Sequence, residues 1–315
     1  MIMPDIFPHR SHRLRGPSFI CVGPEKTGTS WLYTNLKPHP DVFLPPVKEI
    51  RYFYEVLEYP DENWKSRLSK EGDWHAQDYR SYMKERVAYY RKNPYDLLLN
   101  WRRAMWDYRF IFGRRDDDWY LSLFEDARDC ISGDISPQYF SRPEQQKEKI
   151  RKLLPEVKII ILLRNPIDWC WSFARMTLIG DQKVETIPDQ VFFEFFDRYK
   201  NYYPTVAAIN RWYLFFSPEQ IYIGFYDKLS DMPSVFYQEI CNFIGIDEQR
   251  APQKVRNTLS KPVNTGRDLP IPHRFAFYLA QSWKSEIQRL CNVFSPYPQR
   301  WLKQCVDTLD SKEAL

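Results

Sequence analysis

Apolar runs and helical periodicities alternate along the chain, and this alternation predicts an α/β domain with a mainly parallel sheet. Residues 18–22 and 221–226 are short apolar runs that each predict a strand. Lys158–Leu163 is rich in Ile and Leu, which is typical of a parallel strand covered on both faces. Val42–Leu44 is a shorter extended segment. We therefore expect a central sheet flanked by helices.

Capping and stop signals predict where helices begin and end. A first helix is expected over residues 31–36, just before a proline. Ser141 and Glu144 have the spacing of a capping box and predict the start of a second helix. Asp231 is expected to cap a third helix, which ends at Gly245.

Between the predicted strands at 18–22 and 158–163, the pattern of hydrophobic and polar residues changes. Trp and Tyr residues are interleaved with Arg, Lys, Asp and Glu, and no strand alternation is visible. We predict an inserted, aromatic-rich helical region at about 56–118. It would lie within one domain, 18–310, that follows an N-terminal tail, 1–17. The aromatic side chains either form the core of the insertion or stack on sugar rings, and the pattern leaves both open.

Composition and charge exclude several classes of protein. The 315 residues include 45 basic and 41 acidic side chains, for a net charge of +4, and this balance argues against a chain that wraps nucleic acid. The longest aliphatic run, Ile159–Leu163, is too short to span a membrane, and residues 1–16 lack the apolar segment of a signal peptide. The 6 cysteines are scattered without metal-ligand spacing, so we expect reduced thiols, no metal site and a cytoplasmic protein.

Glycine is scarce, and two of the 10 glycines bracket the first candidate site. The segment Gly23–Ser30 directly follows the first predicted strand and precedes a helix. Backbone N–H groups in such a loop bind anions, and the Gly-x-x-x-x-Gly spacing is shared with nucleotide-binding loops. A Walker A motif requires lysine where this chain has Thr29, and the lysine here is Lys26. The alternative is an ordinary tight turn.

The second candidate site follows the predicted strand Lys158–Leu163. Arg164 stands at the end of that strand, and Ser172 lies on the next helix. Ligands bind at strand ends in open α/β sheets, and an arginine with a serine hydroxyl suits a phosphate. The alternative is a structural ion pair and a local helix bond. The segment lacks an acidic Mg²⁺ ligand, which argues against a nucleotide hydrolase.

Two further segments carry polar groups that chemistry could use. Lys48–Phe53 contains Glu49 among apolar and aromatic neighbours, where a carboxylate could accept a proton from a hydroxyl. Lys261–Arg267 is a basic loop that could fold over a nucleotide. By themselves, both are also compatible with solvated surface.

Together these four segments, in this order, resemble the sulfotransferase superfamily that uses 3′-phosphoadenosine 5′-phosphosulfate. The resemblance covers about Phe19 to Arg267. Gly23–Ser30 is similar to the family's 5′-phosphosulfate loop, with Lys26 as its lysine. Arg164 and Ser172 match the 3′-phosphate motif, although Asp168-Trp169 occupies the place of a usual basic residue.

Other segments resemble the glycosaminoglycan branch of the superfamily. Glu49–Phe53 is similar to the segment that supplies the catalytic glutamate there, whereas phenol-sulfating enzymes use a histidine. Asp134–Phe140 resembles that branch's Glu-Lys-Ser-Pro-x-Tyr-Phe, with Ile135 in place of the lysine. Thr265–Arg267 resembles the Lys-Gly-Arg of a late nucleotide-binding loop.

The resemblance implies a P-loop-like fold and in-line sulfuryl transfer to an acceptor hydroxyl, with a saccharide favoured. It implies this donor as cofactor, 3′,5′-adenosine bisphosphate as product, and no metal. Lys26 and Glu49 are the implied catalytic residues. The implied cofactor-binding residues are Lys26, Thr27, Gly28, Thr29, Ser30, Arg164, Ser172, Tyr226, Thr265, Gly266 and Arg267. Lys48, Ser136 and Tyr139 are the implied acceptor contacts. A P-loop kinase or NTPase, and a non-catalytic nucleotide-binding relative, are the alternatives.

Overall fold

The protein folds around a five-stranded parallel sheet. The computed structural model describes residues 16–55, 64–69, 74–180, 182–203, 205–263 and 269–311. The strands are β1 (Phe19–Gly23), β2 (Val42–Phe43), β3 (Ile131–Ile135), β4 (Lys158–Leu163) and β5 (Ile221–Phe225). They are ordered β2-β3-β1-β4-β5, and every pairing is parallel. The predicted α/β fold with a mainly parallel sheet is confirmed.

Helices flank the sheet, and a group of them lies between β2 and β3 in the sequence. In chain order they are α1 (Thr29–Leu36), α2 (Tyr52–Glu55), α3 (Trp64–Ser69), α4 (Trp74–Lys92), α5 (Asp96–Leu99), α6 (Trp101–Phe112), α7 (Asp117–Ser122), α8 (Glu144–Leu153), α9 (Pro166–Ala174), α10 (Asp189–Tyr199), α11 (Val206–Tyr213), α12 (Tyr226–Asp231), α13 (Pro233–Ile244), α14 (Gln253–Arg256), α15 (His273–Val293) and α16 (Tyr297–Asp310). No helix in the described ranges is long and apolar enough to cross a membrane.

The order of the strands predicts a ligand site at the carboxyl end of β1. The chain leaves β1 for β2 and β3 on one side of the sheet, and then crosses to β4 and β5 on the other side. In open α/β sheets, ligands bind outside the carboxyl ends of the strands at such a switch in direction. A ligand is therefore expected at the loops that follow β1 and β4.

The core packs helices α1 and α13 against the sheet. Phe19 and Cys21 of β1, Ile160 of β4, Leu32 of α1 and Phe236 of α13 are all fully buried. Burying one large aliphatic or aromatic side chain contributes roughly 1.5–3 kcal/mol, so this cluster stabilises the sheet from which the loops after β1 and β4 extend. All six cysteines are free thiols.

Two predicted helix starts are wrong, and proline explains both. Helix α8 begins at Glu144 because Pro143 disfavours helical backbone at the residue before it, so a cap at Ser141 cannot form. Helix α13 begins at Pro233, a residue well suited to the first helical position. Asp231 instead ends α12, and its carboxylate accepts a hydrogen bond from Arg300 (2.7 Å).

The end of α13 follows the prediction. Gly245 adopts a left-handed conformation (φ 88°), and its N–H donates to the carbonyl oxygen of Cys241 (2.9 Å). This is the glycine-terminated helix end that the sequence indicated.

The backbone divides into two compact units. One unit holds the sheet and its flanking helices. The other holds α3 to α7, the aromatic-rich helices between residues 64 and 128. The predicted limits of the domain and of its insertion remain a prediction.

The core of the helical unit explains much of its unusual composition. Asp107 is 2% exposed and accepts hydrogen bonds from the hydroxyls of Tyr82 (2.5 Å) and Tyr90 (2.7 Å). Arg86 donates to the same carboxylate (2.7 Å). Trp106 is fully buried beside this group. These aromatic and charged residues therefore stabilise the unit, which favours the core alternative at those positions.

Candidate active site

The loop after β1 turns sharply through residues with left-handed backbone. Gly23 (φ 92°), Lys26 (φ 65°) and Gly28 (φ 100°) all lie in this region. A Cβ at Gly23 would lie 2.5 Å from the Cα of Pro137, so only glycine allows the strand end to approach that neighbouring turn. The buried Thr27 hydroxyl donates to the carbonyl oxygen of Pro24 (2.6 Å). This hydroxyl holds the turn, so Thr27 has only its backbone N–H to offer a ligand.

Two side chains from the β4–α9 segment brace this loop. Arg164 Nη1 donates to the carbonyl oxygen of Lys26 (3.0 Å), and Trp169 Nε1 donates to that of Glu25 (2.8 Å). The guanidinium carbon of Arg164 lies 4.3 Å from the ring centroid of Tyr226, at the end of β5. The structure thus brings together Lys26, Arg164 and Tyr226, which the sequence placed far apart.

Positive charge is concentrated here. Burial, with the charges of Arg164 and Arg175, lowers the pKa of Lys26. Within the described ranges, neither Lys26 nor Arg164 forms an ion pair with a carboxylate. The Nε of Arg164 is buried and meets no hydrogen-bond acceptor of the described chain. The carboxylate of Asp168 is close enough for the charges of Arg164 and Arg175 to act on its pKa. Partly buried cations repel one another, and a bound anion relieves that repulsion.

Ser172 lies on α9 beside these cations. It is 4% exposed, and its hydroxyl bonds to no other described residue. Its carbonyl oxygen accepts from the N–H of Arg175, which follows it by three positions. Residues three apart share a helix face. Ser172 therefore offers a neutral donor next to a charged one.

Glu49 lies in a polar cage. Its Oε1 is 2.5 Å from Nζ of Lys48, and its Oε2 is 3.0 Å from both Nη2 of Arg51 and Nε2 of Gln138. Burial acts to raise the pKa of Glu49, but the two cations and the amide outweigh it and lower this pKa to about 2. Lys48 is the ion-pair partner of Glu49, and its predicted contact with the acceptor stays a prediction.

Ser136 and Tyr139 are both hydrogen-bonded to a buried carboxylate. Both are fully buried, and their hydroxyls donate to the carboxylate of Asp134 (2.7 and 3.1 Å). Ser136 Oγ also accepts from the backbone N–H of Arg51 (3.4 Å). These two residues therefore support the Glu49 segment, and their predicted contact with an acceptor stays a prediction.

The Glu49 cage belongs to the same end of the sheet as the lysine loop. Gln138 lies in the turn Pro137–Tyr139 after β3, and the N–H of Phe140 donates to the carbonyl oxygen of Val22 in β1 (3.1 Å). Glu25, next to Lys26, has its pKa raised by burial and by the neighbouring Glu49 carboxylate. A cationic site and a carboxylate site therefore adjoin at the carboxyl ends of neighbouring strands.

Three predicted site residues are not among the described residues, and two residues that lie at the site were not identified from the sequence. Thr265, Gly266 and Arg267 fall outside the described residues. Sequence reasoning missed Arg175, although its position three residues after Ser172 could have indicated it. Gln138 was also missed, because only the fold brings it to Glu49.

A comparison with protein families identifies the family to which the chain belongs. The family model described as "Sulfotransferase domain" matches residues 17–265. The chain belongs to the sulfotransferase family. The family predicted from the sequence is confirmed, and the P-loop kinase alternative falls with it.

Relatives and solved structures agree with this family. A human bifunctional heparan sulfate N-deacetylase/N-sulfotransferase 3 is 22% identical over 252 residues, which cover 74% of this chain and only 22% of that protein. A crystal structure of a sulfotransferase from Alicyclobacillus acidocaldarius has a TM-score of 0.59 at 20% identity, covering 90% of this chain and 98% of that one. A sulfotransferase from Mycobacterium avium has a TM-score of 0.53 at 13% identity, covering 90% and 78%. These structures share the fold.

Proposed function

We propose that this protein transfers the sulfuryl group of 3′-phosphoadenosine 5′-phosphosulfate to an acceptor hydroxyl, with a carbohydrate favoured. One observation carries the proposal. Lys26 and Arg164 form a cationic pair without carboxylate ion-pair partners in the described chain, at the strand ends where open α/β sheets bind ligands. A donor with phosphate at both ends of its ribose would supply negative charge to this pair, in addition to the Asp168 carboxylate that interacts with Arg164.

The chain has residues that fit each end of the donor. Arg164 and the hydroxyl of Ser172 would hold the 3′-phosphate, and Arg175 would add charge beside them. The loop N–H groups and Lys26 would hold the 5′ end. Tyr226, stacked on Arg164, keeps that guanidinium in place. A loop that includes Thr265, Gly266 and Arg267 would complete the site. The buried, unsatisfied Nε of Arg164 is the feature of this structure that fits a missing phosphate.

The catalytic roles follow from charge. When bound, the donor supplies the sulfuryl group, and 3′,5′-adenosine bisphosphate is the product after an acceptor oxygen forms the new S–O bond in line. Lys26 stabilises the negative charge of the leaving phosphate oxygen, and the fixed loop supports it; such preorganised stabilisation is usually the largest catalytic contribution. Glu49 accepts the acceptor's proton at a carboxylate oxygen. Lys48 and Arg51 keep that carboxylate ionised and oriented.

The acceptor class rests on two lines of support. The distant human relative is named for heparan sulfate, a carbohydrate. The base in this chain is a glutamate held by an amide and two cations, the residue type of the carbohydrate-sulfating branch that the sequence resembles.

The departures from the family pattern do not favour a non-catalytic relative. Ile135, which replaces a lysine, is 3% exposed and belongs to the core beside β1. Trp169, which stands where a basic residue is usual, braces the lysine loop through its indole N–H. Both residues therefore have structural roles that keep the site assembled.

A transfer screen tests the proposal. The protein is incubated with donor carrying labelled sulfate and with glycans, phenols and lipid alcohols as acceptors. We expect label on a glycan, with the rate lowered about 10²–10³-fold in Lys26→Ala, the loss typical of removing a preorganised charge donor. Lys303→Ala, which removes an exposed lysine on α16, is the matched control and should leave the rate unchanged. Label on a phenol or lipid alone overturns the carbohydrate acceptor, and no transfer to any class overturns the enzyme.

A further inference from the structure

A protruding apolar tip lies on the helical unit, between α4 and α6. We define the leucine tip as Tyr95, Leu97, Leu98, Leu99 and Trp101. Leu98 and Leu99 are 77% and 78% exposed, Tyr95 is 76% exposed, and Trp101 is 56% exposed. Single exposed apolar residues are common on protein surfaces, but a contiguous group marks a site of interaction.

The backbone that carries the leucine tip is regular. The N–H of Leu98 donates to the carbonyl oxygen of Tyr95 (3.0 Å), and that of Asn100 donates to Asp96 (2.9 Å). The carboxylate of Asp96 accepts from the hydroxyl of Tyr89. The leucines therefore project from a hydrogen-bonded turn that holds them outward.

Basic residues surround the leucine tip. Arg91 and Lys92 end α4, and Arg102 follows Trp101; all three are exposed and form no ion pair within the described chain. The guanidinium carbon of Arg102 lies 5.4 Å from the ring centroid of Trp101. Leucines, aromatic residues and basic residues thus lie together in this segment of the chain.

We propose that the leucine tip inserts into the surface of an anionic lipid bilayer. Successive residues on a helical turn point about 100° apart, so the exposed Leu97, Leu98 and Leu99 together face a wide arc. A flat protein partner covers one side of such a turn, whereas a bilayer surrounds it. The leucines enter the acyl region, Tyr95 and Trp101 lie at the headgroup level, and the cations meet anionic headgroups.

A second copy of the chain is a poorer occupant. In a twofold contact the same patch meets itself. Arg91, Lys92 and Arg102 would then face their own counterparts, and like charges in a desolvated contact repel. This inference goes beyond the proposed function and does not depend on the donor or acceptor.

Vesicle co-sedimentation of the full chain tests the proposal. The vesicles contain phosphatidylcholine alone or with phosphatidylserine. We expect binding to the anionic vesicles, at least tenfold weaker in a Leu98→Asp, Leu99→Asp double variant. Leu214→Asp, which changes a leucine that is 71% exposed in the other unit, is the matched control and should bind as wild type. Both variants alter exposed side chains, so their circular-dichroism melting curves should match wild type.

Two further measurements locate the contact. Reversing the charge of Lys92 or Arg102 should weaken anionic binding by about fivefold or more for each residue. Lipids brominated on their acyl chains should quench tryptophan fluorescence, and Trp101→Phe should lose that quenching. Absence of binding, or binding equal in the Leu98→Asp, Leu99→Asp variant, overturns the proposal. Self-association without vesicles that this variant abolishes would identify a second copy as the occupant, and also overturns it.

Discussion

Three non-glycine residues at the proposed site share a strained backbone. Lys26, Glu49 and Arg51 have φ values of 65°, 65° and 60°, and Arg128 is the one other non-glycine residue with positive φ in the described ranges. Such conformations cost on the order of 1–3 kcal/mol each and persist only where the surrounding structure enforces them. Hydrogen bonds to the backbone support these conformations: Arg164 donates to the carbonyl oxygen of Lys26, and the N–H of Arg51 donates to the hydroxyl of Ser136. The proposed catalytic pair is therefore fixed before any ligand binds.

Two adjacent carboxylates make the identity of the base testable. Glu49→Gln should lower transfer by about 10²–10⁴-fold, the usual contribution of a general base, while the bisphosphate product still binds. Glu25→Gln is the matched control, because it removes the neighbouring carboxylate and leaves the Lys48–Glu49 pair intact. Kinetics and product titration are measured for both variants. A severe loss in Glu25→Gln with little change in Glu49→Gln would make Glu25 the base.

The pKa values of Glu49 and Glu25 predict how kcat/KM depends on pH. A base acts when deprotonated, so activity falls as pH drops through its pKa. Because the pKa of Glu49 is about 2, Glu49 should give no acid limb between pH 7 and pH 4. The pKa of Glu25 is raised, so a limb from Glu25 would lie above the ordinary carboxyl range. The two origins are separated by comparing wild type with Glu25→Gln: an acid limb that this variant removes would contradict the assignment.

At alkaline pH, activity should fall as pH rises, because the group involved acts in its protonated form. Lys26 acts when protonated, and its lowered pKa places its loss of charge below the ordinary lysine value. Activity should therefore decline as pH rises through that lowered pKa. Arg175→Ala removes one of the charges that lower it, and the alkaline limb should move to higher pH. An unmoved limb would mean that Lys26 does not control it.

Arg175 also gives a prediction for donor binding. Arg164→Ala should weaken 3′,5′-adenosine bisphosphate about 10–100-fold, as expected for a lost charge-assisted hydrogen bond. Arg175→Ala should cost less, about fivefold, as expected for a charge acting over a longer distance, and this loss should shrink in high salt. Calorimetric titration measures both. The control is Arg198→Ala, an exposed arginine on α10, and a loss there as large as in Arg175→Ala would contradict a local role.

The part of the site carried by local motifs could be predicted, and the part assembled by the fold could not. Lys26 and Arg164 stand directly after apolar strands, where strand ends indicate ligands. Trp169 and Gln138 have no such signal, because their partners are 144 and 89 positions away. Their roles depend on strand order and register, which the sequence pattern does not reveal.

At the level of elements, burial decides what is predictable. The structure has β4 at Lys158–Leu163, as predicted, because a strand covered on both faces is apolar throughout. Strand β3 was missed because it contains Ser132 and Asp134, which are buried by hydrogen bonding and not by hydrophobicity. Prolines moved two helix starts. The helices thus begin where proline restricts the backbone and not where the capping patterns predict.

The turn after β1 predicts a stability difference between two glycines. Gly23→Ala should lower the free energy of unfolding for two reasons. A non-glycine residue in left-handed backbone costs about 1–2 kcal/mol. The new Cβ, 2.5 Å from Pro137, adds a steric cost of roughly 1–3 kcal/mol. Gly245→Ala is the matched control, because its φ of 88° is close to the 92° of Gly23 while its Cβ meets no described atom within 4 Å. Urea unfolding measures both. Equal losses would mean that the approach of Pro137 costs nothing.

For the whole molecule, the sheet topology and the charge distribution point to one ligand. Net charge is only +4 over 315 residues, so general electrostatic attraction does not explain a preference for anions. The proposed site at Lys26 and Arg164 would explain one, because both cations are partly buried and neither forms an ion pair with a carboxylate in the described ranges. Binding there should stabilise the native state in proportion to occupancy.

Thermal unfolding with competing nucleotides tests that expectation. A ligand at 100 times its Kd stabilises the native state by about 2.7 kcal/mol, so 3′,5′-adenosine bisphosphate should raise Tm by several degrees. ATP with Mg²⁺ lacks a 3′-phosphate for Arg164 and Ser172 and should raise Tm much less at equal concentration. Arg164→Ala should remove most of the difference, since it removes the charge that distinguishes the two ligands. If ATP with Mg²⁺ stabilises the protein more than the bisphosphate does, the 3′-phosphate assignment is wrong, and the donor with it.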